Sequence, residues 1–211
     1  AYVWGLFSIL AFVWVVNLHN FMDGSDGLAA LQGLFSISIY AVFYLQAGLI
    51  RDAFLPMIIG AALLGFLFWN RPPARLFMGD SGSLLIGAAV GSLAYYGIRS
   101  GAVSVVLCIM ISSVFIVDAT ATLLRRVFKG EQWYNAHATH AFQLLVIGGL
   151  SHAQVLSVYS ALNIGLVAPV VYLASKSPEH ELWFVAALLV SLTIGWWQVQ
   201  QRAPKLRQQQ G

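Results

Sequence analysis

Long apolar runs alternate with short polar stretches along the whole of this chain. The runs are about 16 to 23 residues long, and a helix of about 20 apolar residues crosses the hydrocarbon core of a bilayer. They cover approximately residues 2–16, 28–49, 54–69, 83–98, 102–124, 155–174 and 182–199. The pattern predicts an all-α, polytopic membrane helix bundle with about seven transmembrane helices. We expect residues 1–211 to form a single membrane domain.

The composition supports this interpretation. Of 211 residues, 59% are hydrophobic and 9% are charged, and the mean hydropathy is +0.78. Soluble domains contain about 25% charged residues, so an ordinary water-soluble domain is excluded. Cys108 is the single cysteine in the sequence, which excludes both a disulfide framework and a cysteine metal site.

Basic residues are unevenly divided between the connections. If the helices alternate in direction, one set of connections holds three basic residues, Arg51, Arg99 and Lys176. The other set holds eight, namely Arg71, Arg75, Arg125, Arg126, Lys129, Arg202, Lys205 and Arg207. Cytoplasmic loops are enriched in Lys and Arg, so we expect the N-terminus outside and the tail over residues 200–211 in the cytoplasm. The net charge of +3 then reflects basic residues that flank the membrane spans, and no nucleic-acid partner is predicted.

The first polar cluster is Asn20-Phe-Met-Asp23-Gly-Ser-Asp26-Gly27, where the first helix ends. If this stretch is helical, Asn20, Asp23 and Asp26 share one face. Two carboxylates between apolar runs are costly near a bilayer and commonly mark an ion or substrate path, and such a pair suits a magnesium-bound phosphate. The alternative is a turn with a helix N-cap, which uses the same residue types.

The second cluster runs from Arg75 to Ser83 and contains Asp80 among small residues that enter the fourth helix. The N-terminus of a helix offers unpaired N–H groups and positive dipole character, which attract phosphate. Asp80 could hold the metal ion that bridges to this phosphate. The alternative is that Asp80 or Ser81 is only an N-cap.

The third cluster is the segment 125–143, which we predict to be a cytoplasmic loop. His137, His140 and Gln143 are spaced by three residues, so a helix would present them in one row. Such a row could bind a metal ion or contact phosphate. Zinc would require further protein ligands on a recognisable scaffold, and contact with an anionic substrate is the favoured interpretation.

Charged residues near the inner end of the fifth helix have two interpretations each. Arg125 and Arg126 contact substrate, or they meet anionic lipid headgroups as topological anchors. Asp118 is a further site group or the partner of a nearby arginine. The sequence leaves these alternatives open.

The three clusters, in this order among membrane helices, resemble glycosyl transferase family 4, the polyprenyl-phosphate N-acetylhexosamine-1-phosphate transferases. Residues 20–27 resemble its NxxDGxDG signature, residues 77–83 its MGDxGS signature, and residues 137–143 its histidine loop. The HxxHxxQ form, preceded by Gly-Glu-Gln-Trp-Tyr, is closer to the bacterial O-antigen-initiating branch than to the muramoyl-pentapeptide branch.

The resemblance implies that a polyprenyl (undecaprenyl) phosphate takes a sugar 1-phosphate from a UDP-sugar, with release of UMP. It implies Mg²⁺, for which Mn²⁺ could substitute, held by Asp80 and Asp23. The implied catalytic residues are Asp23, Asp80, His137 and His140, and the implied substrate-binding residues are Asn20, Asp26, Arg125, Arg126 and Gln143. The implied setting is the bacterial inner membrane, with the site facing the cytoplasm at the first membrane step of cell-surface polysaccharide synthesis, and a homodimer is compatible with it.

Two departures from the family pattern bear on activity. The family is typically larger and has an acidic pair on an earlier cytoplasmic loop, whereas this sequence contains no adjacent Asp-Asp pair. The sequence therefore resembles the C-terminal portion of a family member, and the isolated chain could be inactive. Spacing leaves open whether an aspartate forms a covalent intermediate or assists direct attack.

Two other classes of function compete with this hypothesis. An ion-coupled secondary transporter also uses intramembrane acids and broken helices, but it predicts acids near the bilayer midplane and internal symmetry. A structural or assembly role predicts no affinity for UDP-sugars and no dependence on magnesium. Nucleotide binding would separate the enzyme from both alternatives.

Overall fold

The computed structural model describes residues 2–131 and 139–208, and it describes side chains over residues 3–131 and 139–202. These parts of the chain contain helices and no strand, so the all-α prediction is confirmed. The α-helices are α1 (Tyr2–Phe21), α2 (Leu28–Gln46), α3 (Ile50–Asn70), α4 (Gly79–Arg99), α5 (Val105–Ile111), α6 (Ser113–Phe128), α7 (Ala141–Ile147), α8 (His152–Leu162), α9 (Ala168–Lys176) and α10 (Glu181–Gln208). A π-helical segment, Asn163–Val167, joins α8 to α9, and a 3₁₀ turn, Pro178–His180, precedes α10.

Six helical stretches are long and apolar enough to cross a membrane, and α5 with α6, bent by 77°, gives a seventh if the pair is one span. The start of α5 lies beside the start of α10, because Ser104 Oγ donates to Glu181 Oε2 at 2.8 Å. The end of α6 lies near the other end of α10, because Arg125 Nη1 donates to Gln200 Oε1 at 2.6 Å. The bent pair therefore connects both ends of the bundle, in agreement with the prediction of about seven crossings.

Ser112 and Ser113 interrupt the apolar run that was predicted as one helix over residues 102–124. At this bend the carbonyl oxygen of Ile111 accepts a hydrogen bond from Gln32 Nε2 of α2, at 3.2 Å. Gln32 is 1% exposed, so its amide satisfies a backbone group that would otherwise be buried without a partner. The run contains no proline or glycine, and the sequence pattern therefore did not predict the bend.

The connections between helices lie at two ends of the bundle. One end, which we call the site end, contains the connections 22–27, 71–78 and 148–151, as the contacts of Asp26 with Ala74 and His152 indicate. The described residues 139 and 140 lie at the same end, because Phe142 at the start of α7 packs against Gly24. The opposite end contains the connections 47–49 and 100–104 and the start of α10. The basic residues fall at the two ends as the predicted alternation of helix direction requires.

The backbones of α1 and α4 approach closely where Gly87 faces Val16. A Cβ atom on Gly87 would lie 2.7 Å from Val16 Cα and 2.9 Å from the Val16 carbonyl oxygen. Small residues at helix interfaces permit this kind of approach in membrane proteins. The contact places the last turn of α1, with Asn20, beside the first turn of α4, with Asp80.

Candidate active site at one end of the bundle

Asn20, in the last turn of α1, connects the first and second polar clusters. Its Nδ2 donates to Asp80 Oδ1 at 3.2 Å and to Ser83 Oγ at 3.1 Å. Asp80 lies in the first turn of α4. The N-cap residue of this helix is Met78, and its side chain makes no capping hydrogen bond. The N-cap interpretation of Asp80 and Ser81 is therefore wrong, and the carboxylate of Asp80 is oriented by Asn20 instead.

Asp23, in the connection 22–27, lies close enough to Asp80 for the two charges to interact. Burial, and then the negative charge of Asp80, raise the pKa of Asp23 from 3.8 to about 6. Both effects disfavour a second negative charge at this point, so a proton or a cation would stabilise the pair. The structure thus brings together two predicted site residues that are far apart in the sequence.

The donor set at this point fits Mg²⁺. Mg²⁺ is usually bound through one or two carboxylates, while substrate phosphates and water supply its other ligands. Asp23 and Asp80 provide such a pair, whose mutual repulsion a divalent cation would relieve. Zinc is bound by three or four protein ligands, and the described part of the chain contains no group of three or more His, Cys, Asp or Glu side chains that could hold a metal ion.

The connection 22–27 is not helical, so the predicted common face of Asn20, Asp23 and Asp26 is wrong. Gly27 has a φ of +77°, a left-handed conformation that favours glycine. Asp26 Oδ2 accepts from the backbone N–H of Ala74 at 3.0 Å, so Asp26 holds the connection 71–78 rather than facing Asp80. Its side chain is 20% exposed, and its contact with a nucleotide stays a prediction.

Two residues outside the predicted clusters complete this part of the site end. Asn70 Oδ1 accepts from the backbone N–H of Gly27 at 3.1 Å, and Asn70 Nδ2 donates to the carbonyl oxygen of Leu76 at 2.9 Å. His152 Nδ1 accepts from the backbone N–H of Asp26 at 3.3 Å. A polar residue closing an apolar run was the available signal for Asn70, whereas nothing in the sequence pattern singled out His152.

His140 and Gln143 do not form the predicted helical row. His140 is the N-cap residue of α7 and has an extended backbone, and Gln143 Oε1 accepts from the backbone N–H of His140 at 3.1 Å. Gln143 therefore completes a capping box, a local structural role that the three-residue spacing also permits. His137 lies outside the described residues, so its predicted role stays a prediction.

The imidazole of His140 is buried and packs between two aromatic rings, Phe21 at 6.5 Å and Phe142 at 5.9 Å between centroids. Burial lowers the pKa of His140 below its ordinary value of 6.5, against the opposing effect of Asp118. A Cβ atom on Gly24 would lie 3.0 Å from the ring of Phe142. Phe142, at the start of α7, thus packs directly on the connection that carries Asp23.

Asp118 holds the start of α7, and its Oδ1 lies 3.9 Å from His140 Nδ1. Its carboxylate is buried and accepts from the backbone N–H groups of Ala141, at 2.7 Å, and Phe142, at 3.3 Å. It also accepts from Tyr159 Oη at 2.6 Å. Asp118 therefore satisfies the first unpaired N–H groups of α7 and fixes the residues that follow His140.

The two predicted arginines have different surroundings. Arg126 is 6% exposed, its Nε lies 3.6 Å from Glu131 Oε2, and its positive charge contributes to lowering the pKa of His140. Arg125 donates to Gln200 at the contact between α6 and α10. Of the two, Arg126 is the one that lies beside His140.

These contacts define a class of protein, namely a multi-pass α-helical membrane protein whose carboxylate and histidine clusters meet at one end of the bundle. Residues 1–98 match the model of the family described as Glycosyl transferase family 4. Together with the relatives described next, this match shows that the chain belongs to glycosyl transferase family 4. The resemblance inferred from the three clusters is confirmed.

Three curated relatives illustrate the relationship. A probable undecaprenyl-phosphate N-acetylglucosaminyl 1-phosphate transferase of Bacillus subtilis (strain 168) is 32% identical over 189 residues, 89% of this chain and 52% of the relative. A decaprenyl-phosphate N-acetylglucosaminephosphotransferase of Mycolicibacterium smegmatis is 33% identical over 187 residues, 77% of this chain and 45% of the relative. A phospho-N-acetylmuramoyl-pentapeptide-transferase of Campylobacter lari is 35% identical over 162 residues, 66% of this chain and 45% of the relative. The chain thus spans about half the length of the curated relatives it matches.

Proposed function

We propose that the protein transfers an N-acetylated amino sugar 1-phosphate from a UDP-sugar to a polyprenyl phosphate, and that it releases UMP. The observation that carries this proposal is the convergence of Asp23, Asp80 and Asn20 at the end of the bundle where the histidine loop packs. The names of the relatives support the same reaction type, since two of them contain a polyprenyl phosphate and N-acetylglucosamine.

The reaction exchanges one phosphoanhydride for another. An oxygen of the lipid phosphate attacks the phosphorus that bears the sugar, the bond between this phosphorus and the bridging oxygen of the UDP-sugar breaks, and UMP leaves with the bridging oxygen and the electron pair. The product is a lipid-linked diphosphate sugar. Both reactants are anions, so the site must offset their repulsion and the charge that develops on the leaving phosphate.

Asp23 and Asp80 would hold Mg²⁺, or Mn²⁺ in its place, which when bound neutralises charge on the diphosphate. Asn20 keeps the Asp80 carboxylate in one orientation through its 3.2 Å hydrogen bond. His140, with Arg126 beside it, would contact the diphosphate or the sugar. Asp26 has 20% of its side chain exposed next to Asp23 and is suited to contact the nucleotide.

We place the site on the cytoplasmic face of a bacterial inner membrane. The site end carries Arg71, Arg75, Arg125, Arg126 and Lys129, whereas the opposite end carries fewer basic residues, as the positive-inside rule describes for cytoplasmic and external loops. A water-soluble UDP-sugar would reach the site there. The transporter alternative is less favoured, because Asp23 and Asp80 lie at helix ends and not at the midplane.

The experiment is a transfer assay in membranes that contain the protein, with a panel of radiolabelled UDP-sugars and polyprenyl phosphate as acceptor. We expect magnesium-dependent UMP release and a labelled lipid product, with the preferred sugar identified by the panel. Asp80→Asn should abolish both signals, while Asp52→Asn, a carboxylate on α3 at the opposite end of the bundle, should leave them unchanged. Transfer that persists in Asp80→Asn would remove Asp80 from the mechanism, and no transfer with any UDP-sugar would reject the proposed reaction.

A further inference from the structure

Gln200 on α10 joins three parts of the site end, although it belongs to none of the three polar clusters. Its Oε1 accepts from Arg125 Nη1 at 2.6 Å, and its Nε2 donates to the carbonyl oxygen of Thr139 at 2.9 Å. Thr139 immediately precedes His140 in the chain. The amide of Gln200 therefore connects the end of α6, the C-terminal part of α10 and the backbone of Thr139.

The burial of Gln200 distinguishes it from the glutamines around it. Gln200 is 4% exposed, whereas Gln198 and Gln201 are exposed. Burying an amide is unfavourable unless its polar atoms are bonded, and ordering a glutamine side chain costs about 1.5 to 2 kcal/mol of rotamer entropy. A leucine would fill the same space without buried polar atoms and with a smaller entropy cost of about 0.5 to 1 kcal/mol, so packing alone does not account for a glutamine at this position.

The backbone around His140 is held on both sides. Asp118 bonds to the N–H groups of Ala141 and Phe142, which follow His140, and Gln200 bonds to Thr139, which precedes it. Loss of the Asp118 contacts would undo the start of α7. Loss of the Gln200 contact would instead remove a hydrogen bond from the residue that precedes His140 and would leave the start of α7 intact.

We propose that Gln200 is a positioning residue for His140, which acts by fixing the carbonyl group of Thr139 and touches no substrate. The importance of His140 for transfer rests on the proposed function, but the position of its backbone does not. Arg125 has the same kind of role in this proposal, because its hydrogen bond orients the Gln200 amide. The predicted contact of Arg125 with substrate stays a prediction beside this role.

The first test measures the accessibility of His140 without any enzymatic activity. The purified protein is treated with diethyl pyrocarbonate, and modification of each histidine is followed by peptide mass spectrometry. Gln200→Met removes both hydrogen bonds, while Gln200→Glu keeps an acceptor for Arg125 and removes the donor to Thr139. We expect His140 to react severalfold faster in both variants, with His152 and His180 as internal references and Gln201→Met as the matched control.

The second test uses transfer kinetics to separate positioning from general destabilisation. We expect Gln200→Met and Gln200→Glu to lower kcat/KM about tenfold or more, as substitutions of supporting residues do at other sites. If Gln200 acts through His140, the loss should disappear in a His140→Ala background, because the group being positioned is gone. A purely structural role would lower activity by the same factor in both backgrounds.

The outcomes separate this inference from the proposed function. Unchanged labelling of His140 in folded Gln200→Met and Gln200→Glu would overturn the inference, whatever the transfer assay shows. Wild-type-like labelling in Gln200→Glu alone would also overturn it, because the bond to Thr139 would then have no effect. Faster labelling in both variants, in a protein that transfers no sugar, would retain Gln200 as a positioning residue and reject the transferase proposal.

Discussion

Asn20 and Asp80 are 60 residues apart in the chain and are joined by a hydrogen bond of 3.2 Å between Asn20 Nδ2 and Asp80 Oδ1. The donor is an uncharged amide, so it orients the carboxylate without cancelling its charge. Asp23 adds a second acidic group whose pKa is raised in part by the charge of Asp80. The negative charge of the pair is thereby available for a divalent cation and the phosphates bound to it.

Replacing Asn20 tests whether orientation of Asp80 matters for transfer. A hydrogen bond to a charged group contributes about 1.5 to 3 kcal/mol, and about 1.4 kcal/mol corresponds to a tenfold change in rate. We therefore expect Asn20→Ala to lower kcat/KM about tenfold or more and to raise the Mg²⁺ concentration needed for half-maximal transfer. The matched control is Asn17→Ala, one turn earlier on α1, whose amide bonds to the carbonyl oxygen of Val13. Equal effects of the two substitutions would contradict a specific role for Asn20.

The raised pKa of Asp23 predicts a pH dependence that can be measured without substrate. In protein free of divalent cations, Asp23 is protonated below about pH 6, and its carboxyl group then reacts with a hydrophobic carbodiimide. We expect labelling of Asp23 to fall as the pH rises through about 6. Asp80→Asn removes a negative charge that raises this pKa, so the midpoint should move to lower pH in that variant.

Mg²⁺ should change the same titration in a predictable direction. A metal ion binds the ionised carboxylate and competes with the proton, so added Mg²⁺ should lower the midpoint of Asp23 labelling. Since the folded pKa lies above the ordinary 3.8, the metal-free folded protein binds more protons than the unfolded chain over this window. The contribution of Asp23 to stability should therefore increase as the pH falls from about 6 toward 3.8, and the difference in stability between the wild type and Asp23→Asn measures it. A midpoint that Mg²⁺ leaves unchanged would argue against Asp23 as a metal ligand.

The sequence predicted the spans and the convergence of the clusters because both depend on short-range features. Long apolar runs identify helices that cross a bilayer, and the alternation of those helices places Asp23 and Asp80 at the same end. The bend at Ser112 was not predictable in this way, because it is stabilised by Gln32 from another helix.

The predicted row of His140 and Gln143 failed for a similar reason. The start of α7 is determined by Asp118, which lies 23 residues before Ala141 and bonds to its N–H group. Spacing along the chain carries no information about such a partner. Residues that support the site from outside the clusters, such as Asn70 and Gln200, could be identified only once the helices were placed in space.

Gly87 provides a test of whether the contact between α1 and α4 sets the geometry of the site. A Cβ atom there would lie 2.7 Å from Val16 Cα, and because the obstacle is backbone, the two helices must move apart. Overpacking of this kind costs about 1 to 3 kcal/mol, so Gly87→Ala should lower thermal stability in detergent and also lower transfer by separating Asn20 from Asp80. Gly65→Ala is the control, since no atom lies within 4 Å of the corresponding Cβ position. Full activity in a folded Gly87→Ala protein would show that the site tolerates a wider helix separation.

Substitutions of Tyr159 and Asp118 distinguish a contact that only stabilises the protein from one that transfer requires. Tyr159→Phe removes the 2.6 Å hydrogen bond to the buried carboxylate of Asp118, which should cost about 1.5 to 3 kcal/mol of stability. Asp118 keeps its backbone donors, Ala141 and Phe142, in this variant, so α7 still begins at the same residue and transfer should be largely retained at low temperature. Asp118→Leu removes these three hydrogen bonds, together with the contact of Thr122 Oγ1 with Asp118 Oδ1 at 3.5 Å, and should abolish transfer together with the protection of His140 from diethyl pyrocarbonate. Thermal unfolding and transfer are measured side by side, with Tyr172→Phe on the exposed side of α9 as the control. Retained transfer in Asp118→Leu would show that the start of α7 is fixed by other contacts, and that the carboxylate is not required to hold His140 in place.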